Sequence, residues 1–422
     1  MSDVFQRETL TEENAMMRSL YRLYHKIPTH RRVALVARLN EMAENSRLIS
    51  LIWRKTVLRY HYLRGHKQGL TIEITDKCNL KCTYCPKSLD IGVKGSHMDW
   101  QTFERAFSGK LEEGPLDAVN LVGFGEPFLY PHLERAVRHI KAHDPKIQIR
   151  LTSNGILIGR RWGEILSDAG LDQITISVNA TSAAQYRRIN AADEYDKVVR
   201  NTIEFLDAVN QSVQPMTVFI QVMSVLNDDE QVEQFRAFWK PHLGRVGTIQ
   251  VQPFVNWAGQ IDTGAILEGE ERAREASRQA TAIADGSPAA SAAKVANSTL
   301  MRELKSRKKE VDSPFHNDTR RTQQQPYPCY HLHKTRIVSR EGNALACCMV
   351  YPEEQGDLQL GSLKDHSFIE LYQHGKIEEL RAMDLDGRLG EVKPCDTCDA
   401  WKTVPNIWWR NPLFGLMGPK WF

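Results

Sequence analysis

Residues 74–86 read Ile74-Thr-Asp-Lys-Cys78-Asn-Leu-Lys-Cys82-Thr-Tyr-Cys85-Pro86, and they follow a strand-like run from Leu70 to Ile74. The three cysteines have the spacing C-x3-C-x2-C. Three thiolates are one too few to ligate every iron of a four-iron four-sulfur (4Fe-4S) cluster, so one iron is left open to bind another ligand. A zinc knuckle or a redox pair is the alternative, but the spacing is unusual for zinc, which also requires a fourth ligand nearby. We therefore predict that Cys78, Cys82 and Cys85 hold a 4Fe-4S cluster with an open iron.

The overall composition is that of an ordinary globular protein. The chain has 422 residues, of which 41% are hydrophobic and 25% are charged, enough for one large domain and a smaller one. Its net charge of +3 gives no reason to expect nucleic acid as a partner. We find no apolar run of ~18 residues, as a transmembrane segment would need, and no signal-peptide pattern at the start. We expect a cytoplasmic protein.

Past the cysteine triplet, strand-like and helix-like segments alternate, as in a parallel α/β domain. The predicted strands are Leu70 to Ile74, Ala118 to Val122, Ile147 to Thr152, Gln173 to Val178, Thr217 to Val225 and Thr248 to Val255. The predicted helices lie near Trp100 to Phe107, His132 to His143, Arg161 to Ala169, Ala183 to Ile189, Lys197 to Val209 and Asp229 to Trp239. Six such units predict an α/β fold of the partial (β/α)6, TIM-like barrel type, with its chemistry in the loops at the carboxyl ends of the strands.

Those loops carry four short motifs in order along the chain. They are Val122-Gly-Phe-Gly-Glu-Pro127, Thr152-Ser-Asn-Gly155, Ile174-Thr-Ile-Ser-Val-Asn179 and Tyr186-Arg-Arg-Ile189. Together with the cysteine triplet, they resemble the motifs of the radical S-adenosylmethionine (radical SAM) superfamily. The resemblance implies that the open iron chelates the amino and carboxylate groups of S-adenosylmethionine.

The resemblance also implies which residues bind S-adenosylmethionine. Glu126 would accept a hydrogen bond from the ammonium group of the ligand, and Gly125 would let the backbone approach it closely. Ser177 would bond the ribose or the carboxylate. Tyr84, one place before the third cysteine, and Asn154 complete the predicted cofactor-binding set.

The chain departs from the family pattern at three positions. Phe124 replaces the first motif glycine, Asn179 stands where relatives often have Asp, and Asn190 stands at the Arg position of the family segment Tyr-x-x-Ile-Arg. The third departure leaves Arg187 and Arg188 as competing candidates for the ligand carboxylate, and we favour Arg188.

The remaining cysteines lie in the last hundred residues. Cys329, Cys347, Cys395 and Cys398 have the spacing C-x17-C-x47-C-x2-C, which resembles the SPASM/twitch extension of radical SAM enzymes. The resemblance implies a second, auxiliary 4Fe-4S cluster in the one-cluster twitch form, and a four-cysteine zinc site is the alternative. Cys348 is left over: it is a small buried side chain, a hydrogen-atom donor, or the true ligand in place of Cys347.

Five segments follow from these observations. We predict a helical extension at 1–66, the radical SAM barrel at 67–258, an insertion or linker at 259–326, the auxiliary-cluster domain at 327–400 and an apolar docking tail at 401–422. The extension either packs on the barrel, which we prefer, or docks on a membrane surface or a partner through its basic second half. The insertion is either a linker or a lid over the active site.

The resemblance implies a radical SAM enzyme that makes a 5′-deoxyadenosyl radical with an electron from a flavodoxin or ferredoxin. We expect it to abstract a hydrogen atom from a small hydroxylated substrate, of the sugar or aminocyclitol type, and to oxidise it with help from the auxiliary cluster. A maturase acting on a peptide or protein side chain and a sugar epimerase are the alternatives, and a non-enzymatic iron-sulfur or zinc protein is a remote one. Asn256 is the candidate substrate-facing residue, and Cys348 is the candidate hydrogen donor for epimerisation.

Overall fold

A computed structural model of the chain describes residues 69–89, 95–223, 229–252, 256–258, 260–284, 329–350 and 356–398. All of them belong to one unit of the chain, His61–Thr403. The predicted extension at 1–66 and the predicted tail at 401–422 lie outside the described residues.

One sheet runs through the described part of the chain, and six of its strands are parallel neighbours in the order β6-β5-β4-β3-β2-β1. These strands are β1 (Gly69–Ile72), β2 (Ala118–Leu121), β3 (Gln148–Ser153), β4 (Gln173–Ser177), β5 (Thr217–Met223) and β6 (Gly247–Gln252). The prediction of a partial (β/α)6 barrel is confirmed, and each predicted strand is present, with its ends shifted by at most three residues.

Helices occupy the connections between these strands, as predicted. They are α1 (Trp100–Glu113), α2 (Leu133–His143), α3 (Arg160–Ala169), α4 (Ala183–Asn190), α5 (Tyr195–Gln211) and α6 (Asp229–Trp239). Their sequences show why they start, stop and pack. The side chain of Asp99 caps the start of α1 by accepting from the amide of Thr102, and Gly170, at a φ of 88°, ends α3 in the left-handed conformation. Burial in α2 follows the helical spacing of one apolar face, Leu133, Ala136, Val137 and Ile140.

The C-terminal segment extends the same sheet beyond β1. The strand β7 (Thr335–Val338) pairs in parallel with β1, and β8 (Asn343–Leu345) and β9 (Gln359–Ser362) follow in antiparallel order. The sequence analysis did not predict this attachment of the C-terminal segment to the barrel. Because β7 is parallel to β1, the loop after β7 lies at the same edge of the sheet as the cysteine triplet.

Four further helices complete the described structure. They are α7 (Thr263–Ala284), α8 (Tyr330–Lys334), α9 (Phe368–Gln373) and α10 (Lys376–Leu385). The hydroxyl of Tyr372 on α9 accepts hydrogen bonds from the amides of Ile337 on β7, at 2.9 Å, and Leu345 on β8, at 3.2 Å. The helix α9 also packs on α1, where Gly109 lies against Phe368. These contacts fasten the C-terminal strands to the barrel.

Gly109→Ala is expected to destabilise the protein, because the added Cβ would lie 2.6 Å from Cβ of Phe368 and would force α1 and α9 apart. We expect a loss of about 1–3 kcal/mol in the free energy of unfolding, measured by urea denaturation followed by circular dichroism. Gly269→Ala in α7 is the control, because a Cβ there meets nothing within 4 Å and alanine favours a helix by up to about 1 kcal/mol. Equal effects of the two substitutions would contradict the packing of α9 on α1.

Candidate functional site

The carboxyl ends of parallel strands meet at one edge of the sheet, and the predicted site residues follow four of them. The cysteine triplet follows β1, Gly125 and Glu126 follow β2, Asn154 follows β3 directly, and Ser177 ends β4. The barrel therefore places the triplet and the first three of the four motifs on one side.

The loop after β2 lies directly against the backbone that leads into the triplet. A Cβ on Gly125 would be 2.3 Å from the carbonyl oxygen of Thr75, and the amide of Glu126 donates to the carbonyl of Lys77 at 2.7 Å. Only glycine fits at this approach. Phe124, the departure from the family pattern, is buried, and its ring lies 5.6 Å from that of Trp257, so the larger side chain packs against the loop after β6.

Glu126 is buried and joins the second loop to the third. Its carboxylate accepts hydrogen bonds from the amide of Asn154 at 2.8 Å, the hydroxyl of Ser153 at 2.9 Å and the amide of Phe128 at 3.2 Å. Burial raises the pKa of Glu126 to about 7, against these hydrogen bonds, which lower it. Nδ2 of Asn154 lies 3.9 Å from Sγ of Cys78. The structure thus brings a buried carboxylate, an amide and the first cysteine together.

A second polar network reaches the triplet from β4 and α4. The hydroxyl of Tyr84 donates to Oδ1 of Asn190 at 2.8 Å and accepts from Nδ2 of Asn179 at 3.1 Å, while Sγ of Cys82 donates to the same Oδ1 at 3.2 Å. Asn179 has a φ of 59°, a left-handed conformation that asparagine tolerates better than most residues. Two of the three departures from the family pattern therefore meet beside Cys82.

Ser177 is placed by a residue that the sequence analysis missed. Nε2 of Gln221 on β5 lies 3.3 Å from Oγ of Ser177 and 3.4 Å from Oδ1 of Asn179. The only signal for Gln221 is an amide in the otherwise apolar end of a strand, Ile220-Gln-Val-Met223.

The two candidate arginines make ion pairs that do not involve the triplet. Arg188 forms a bidentate pair with the buried carboxylate of Glu270 on α7, at 3.1 and 3.0 Å, and Arg187 pairs with exposed Asp193 at 2.7 Å. The helix α7 lies in the segment interpreted as an insertion or lid. For Arg188 to bind a ligand carboxylate, it would have to exchange Glu270 for the ligand.

The three thiols of the triplet have the chemistry of a cluster site. All are partly buried and none is in a disulfide. Burial raises the pKa of the Cys85 thiol to about 11 and that of Cys82 still higher, and repulsion between the neighbouring thiolates adds to both shifts. Bound iron would offset that repulsion, since a metal holds its thiol ligands deprotonated. The donor set therefore fits a cluster.

The C-terminal cysteines also lie near one another. Cys347 interacts electrostatically with four other thiols, those of Cys348, Cys398, Cys395 and Cys329, and burial raises its pKa. In the described part of the chain, no three His, Cys, Asp or Glu side chains have the spacing of ligands to a single metal ion. A four-iron cluster holds its cysteines farther apart than one ion does, so both cysteine sets remain compatible with clusters.

Neighbouring contacts distinguish the members of the C-terminal set. The amide of Met349 donates to Sγ of Cys347 at 3.3 Å, whereas Sγ of Cys348 lies 3.4 Å from Nδ1 of His331.

Asn256, the predicted substrate-facing residue, is buried and donates to the carbonyl of Thr397, inside the C-x2-C turn, at 2.9 Å. This contact links the loop after β6 to the C-terminal cysteines.

The loop after β7 contributes Arg340, which sequence reasoning also missed. Arg340 is buried, and its Nε lies 2.7 Å from Oγ of Ser96 and 3.3 Å from Oδ1 of Asp76. Its backbone amide donates to Glu73, whose carboxylate also accepts from the amide of Phe124 at 3.1 Å. Burial raises the pKa of Glu73 to about 7, and Arg340 and the two amides oppose that shift. Arg340 therefore connects the C-terminal hairpin, formed by β7 and β8, to the cysteine loop.

Comparison with known proteins agrees with this geometry. Residues 72–237 match the model of the Radical SAM superfamily. The chain carries a radical SAM domain. A GTP 3′,8-cyclase of Alkaliphilus metalliredigens is 32% identical over 169 residues, 39% of this chain and 50% of that protein. A probable GTP 3′,8-cyclase of Methanococcus maripaludis is 35% identical over 131 residues, 31% of this chain and 43% of that protein. The chain thus spans about half the length of these curated relatives.

The fold also resembles that of a solved structure. The crystal structure of Streptococcus suis SuiB bound to precursor peptide SuiA has a TM-score of 0.51 and 15% identity, covering 83% of this chain and 73% of that one. This likeness concerns the fold alone. None of the helices in the described part of the chain combines the length and apolar character needed to cross a membrane.

Glu126→Gln is expected to change the pH dependence of stability. The buried carboxyl has a pKa of about 7 in place of 4.5, so between these values the folded state keeps a proton that the unfolded state has released. The free energy of unfolding of the natural protein should therefore fall as the pH rises from 5 to 7. In the variant, the part of this fall that is due to Glu126 should be absent. Urea denaturation at pH 5, 6 and 7 measures the difference.

Glu370→Gln is the control for this experiment. Glu370 is fully exposed and hydrogen bonds from Ser367 lower its pKa, so its stabilising effect is lost only below the tested range. The difference in the free energy of unfolding between Glu370→Gln and the natural protein should be constant between pH 5 and 7. The same constant difference for Glu126→Gln would contradict the raised pKa.

Proposed function

We propose that this chain is a radical SAM enzyme that reductively cleaves S-adenosylmethionine and abstracts a hydrogen atom from a small hydroxylated substrate. The observation that carries the proposal is the convergence of Cys78, Glu126 and Asn154 at the carboxyl edge of a radical SAM domain. An electron carrier or a zinc scaffold has no use for a buried carboxylate beside the cysteines. The substrate class we favour is a sugar or aminocyclitol, which the enzyme oxidises.

Each part of the site has a task in this reaction. Cys78, Cys82 and Cys85 would hold the cluster, which supplies the electron that cleaves S-adenosylmethionine to a 5′-deoxyadenosyl radical. Glu126 would accept from the ammonium group of the ligand. Its pKa of about 7 reflects burial, and a bound cation would favour the ionised carboxylate, so ligand binding and proton release from Glu126 are coupled.

The other contacts orient the ligand and close the site. Asn154, beside Cys78, and Ser177, at the end of β4, would present polar groups to the ligand, and Arg188 would take the ligand carboxylate after releasing Glu270. Burial of Glu126 and of the side chains around it excludes water from the reacting centre. A flavodoxin or ferredoxin would deliver the electron from outside.

The C-terminal cysteines support the oxidation step. Cys329, Cys347, Cys395 and Cys398 would hold an auxiliary 4Fe-4S cluster, and Asn256 joins their region to the barrel loop after β6. A carbon radical beside a hydroxyl group becomes a carbonyl when it loses one electron and one proton. A cluster near the substrate can take that electron.

A hydroxylated nucleotide is the second candidate substrate. The curated relatives are named for a cyclisation of GTP, whose ribose belongs to the same chemical class, and the similarity covers 169 and 131 residues of this chain. That similarity does not extend over their whole length. A peptide or protein side chain is the remaining candidate, and the assay below separates the three.

Iron analysis tests the two cluster sites. Anaerobic reconstitution should load about eight iron atoms per chain, and changing Cys78, Cys82 and Cys85 together to Ala should leave about four and abolish cleavage of S-adenosylmethionine. Cys347→Ala and Cys348→Ala are matched variants at neighbouring positions. Cys347→Ala should lose the iron of the auxiliary cluster, and Cys348→Ala should keep it. Zinc in the C-terminal region with only four irons bound would contradict the auxiliary cluster.

Product analysis tests the reaction. With a carbon-deuterated sugar, aminocyclitol, GTP or peptide offered in turn, the true substrate should yield one 5′-deoxyadenosine per product and pass its deuterium to 5′-deoxyadenosine. Oxidation makes the product lighter by the abstracted deuterium and one hydrogen, measured by mass spectrometry. A product that differs from the substrate only by a solvent hydrogen in place of that deuterium would instead show epimerisation, with Cys348 as the donor to test by substitution.

A further inference from the structure

Asn190 lies at the end of α4, directly beside the second cysteine of the triplet. It is 1% exposed, and its Oδ1 is 3.2 Å from Sγ of Cys82 and 2.8 Å from the hydroxyl of Tyr84. The amide and the hydroxyl of Thr83 both donate to the carbonyl of Ile189, so the end of α4 is held to the cysteine loop. The position of Asn190 relative to Cys82 is therefore well defined.

The hydrogen bonding of Asn190 is incomplete in this arrangement. Its Nδ2 is buried and has no acceptor among the residues that the structure describes. A buried donor without an acceptor is unfavourable, and the oxygen and nitrogen of a side-chain amide have nearly the same shape. Turning the amide by 180° would exchange the two atoms without moving the side chain.

Cluster binding determines which orientation is favourable. A cysteine that ligates a metal has no proton, so Cys82 could not donate to Oδ1 and its negative sulfur would face that oxygen. In the turned amide, one N–H of Nδ2 points to Sγ of Cys82 and the other to the oxygen of Tyr84. The hydroxyl of Tyr84 also hydrogen-bonds Cys82, so its proton is directed to the sulfur. Every donor then has an acceptor.

We propose that Asn190 is a positioning residue for the first cluster, and that its side-chain amide donates a hydrogen bond to Sγ of Cys82 in the loaded enzyme. A donor to a ligand sulfur stabilises the more negative, reduced cluster and so raises its reduction potential. The inference rests on the proposed function, because it requires a 4Fe-4S cluster on Cys78, Cys82 and Cys85.

The two departures from the family pattern at 179 and 190 both place a neutral side-chain amide next to Tyr84. The described structure joins the two through Tyr84, at 2.8 and 3.1 Å. Two neutral amides supply donors in this buried position without burying a charge, which would be unfavourable unless paired.

The test is the midpoint potential of the first cluster, followed by electron paramagnetic resonance without S-adenosylmethionine. The cysteines of the auxiliary site are left intact, and the first cluster is identified by the change in its signal when S-adenosylmethionine is added. Asn190→Leu removes the amide and adds no charge. We expect its equilibrium constant for one-electron reduction to fall about tenfold, a potential lower by about 59 mV, with iron content unchanged.

Asn210→Leu is the matched control. Asn210, near the end of α5, donates to the carbonyls of Leu206 and Leu243 and is not part of the cysteine site. It loses an amide of the same kind, so its cluster potential should equal that of the natural protein. An unchanged potential in Asn190→Leu, with full iron content, overturns the inference.

A second variant covers a failure of Asn190→Leu to fold or to bind iron. Asn190→Asp has the same shape but lacks the amide and brings a carboxylate towards the sulfur, so its potential should be lower still. A potential equal to that of the natural protein would overturn the inference. The proposed function fails separately, if the natural protein binds no cluster whose signal responds to S-adenosylmethionine.

Discussion

The close approach of the loop after β2 to the backbone before Cys78 is the constraint on which the site depends. Gly125 lies so near the carbonyl of Thr75 that any side chain would force the loops apart, and the amide of Glu126 is bonded to Lys77. This contact fixes the direction of the Glu126 carboxylate, which in turn orders the loop after β3. The cysteine loop is thereby lined by the polar groups of Glu126 and Asn154, which come from other loops.

Burial of acidic groups near thiols is unfavourable, and the structure offsets it with donors from distant parts of the chain. Glu73 and Glu126 each accept backbone amides, and Arg340 approaches both Glu73 and Asp76. A guanidinium can serve several acceptors at once because its donors are arranged as a fork. Part of the charge that balances the cysteine loop therefore comes from the C-terminal hairpin, and Lys87, which pairs with Asp76, supplies another part. We infer that barrel and hairpin act as one electrostatic unit.

The sheet makes this cooperation geometrically possible. Strand β7 continues the barrel sheet beside β1, so the turn that carries Arg340 emerges next to the loop that carries the triplet. The strand β6 is the parallel strand farthest from β1 in the sheet, and the loop after it contacts the C-x2-C turn through Asn256. The C-terminal segment is thus joined to the barrel at both β1 and the loop after β6. Such a connection favours a fixed distance between the two cysteine sets over a hinge.

Local sequence was sufficient for the cysteine triplet, the order of strands and helices and the loop motifs, because each is encoded within a few neighbouring residues. Spacing and periodicity do not say which distant elements pair. The attachment of β7 to β1, the ion pair of Arg188 with Glu270, and the contact of Asn190 with Cys82 join residues far apart in the chain, so only the tertiary structure decides them. Their energies come from burial and from hydrogen-bond geometry, which exist only once the chain has folded.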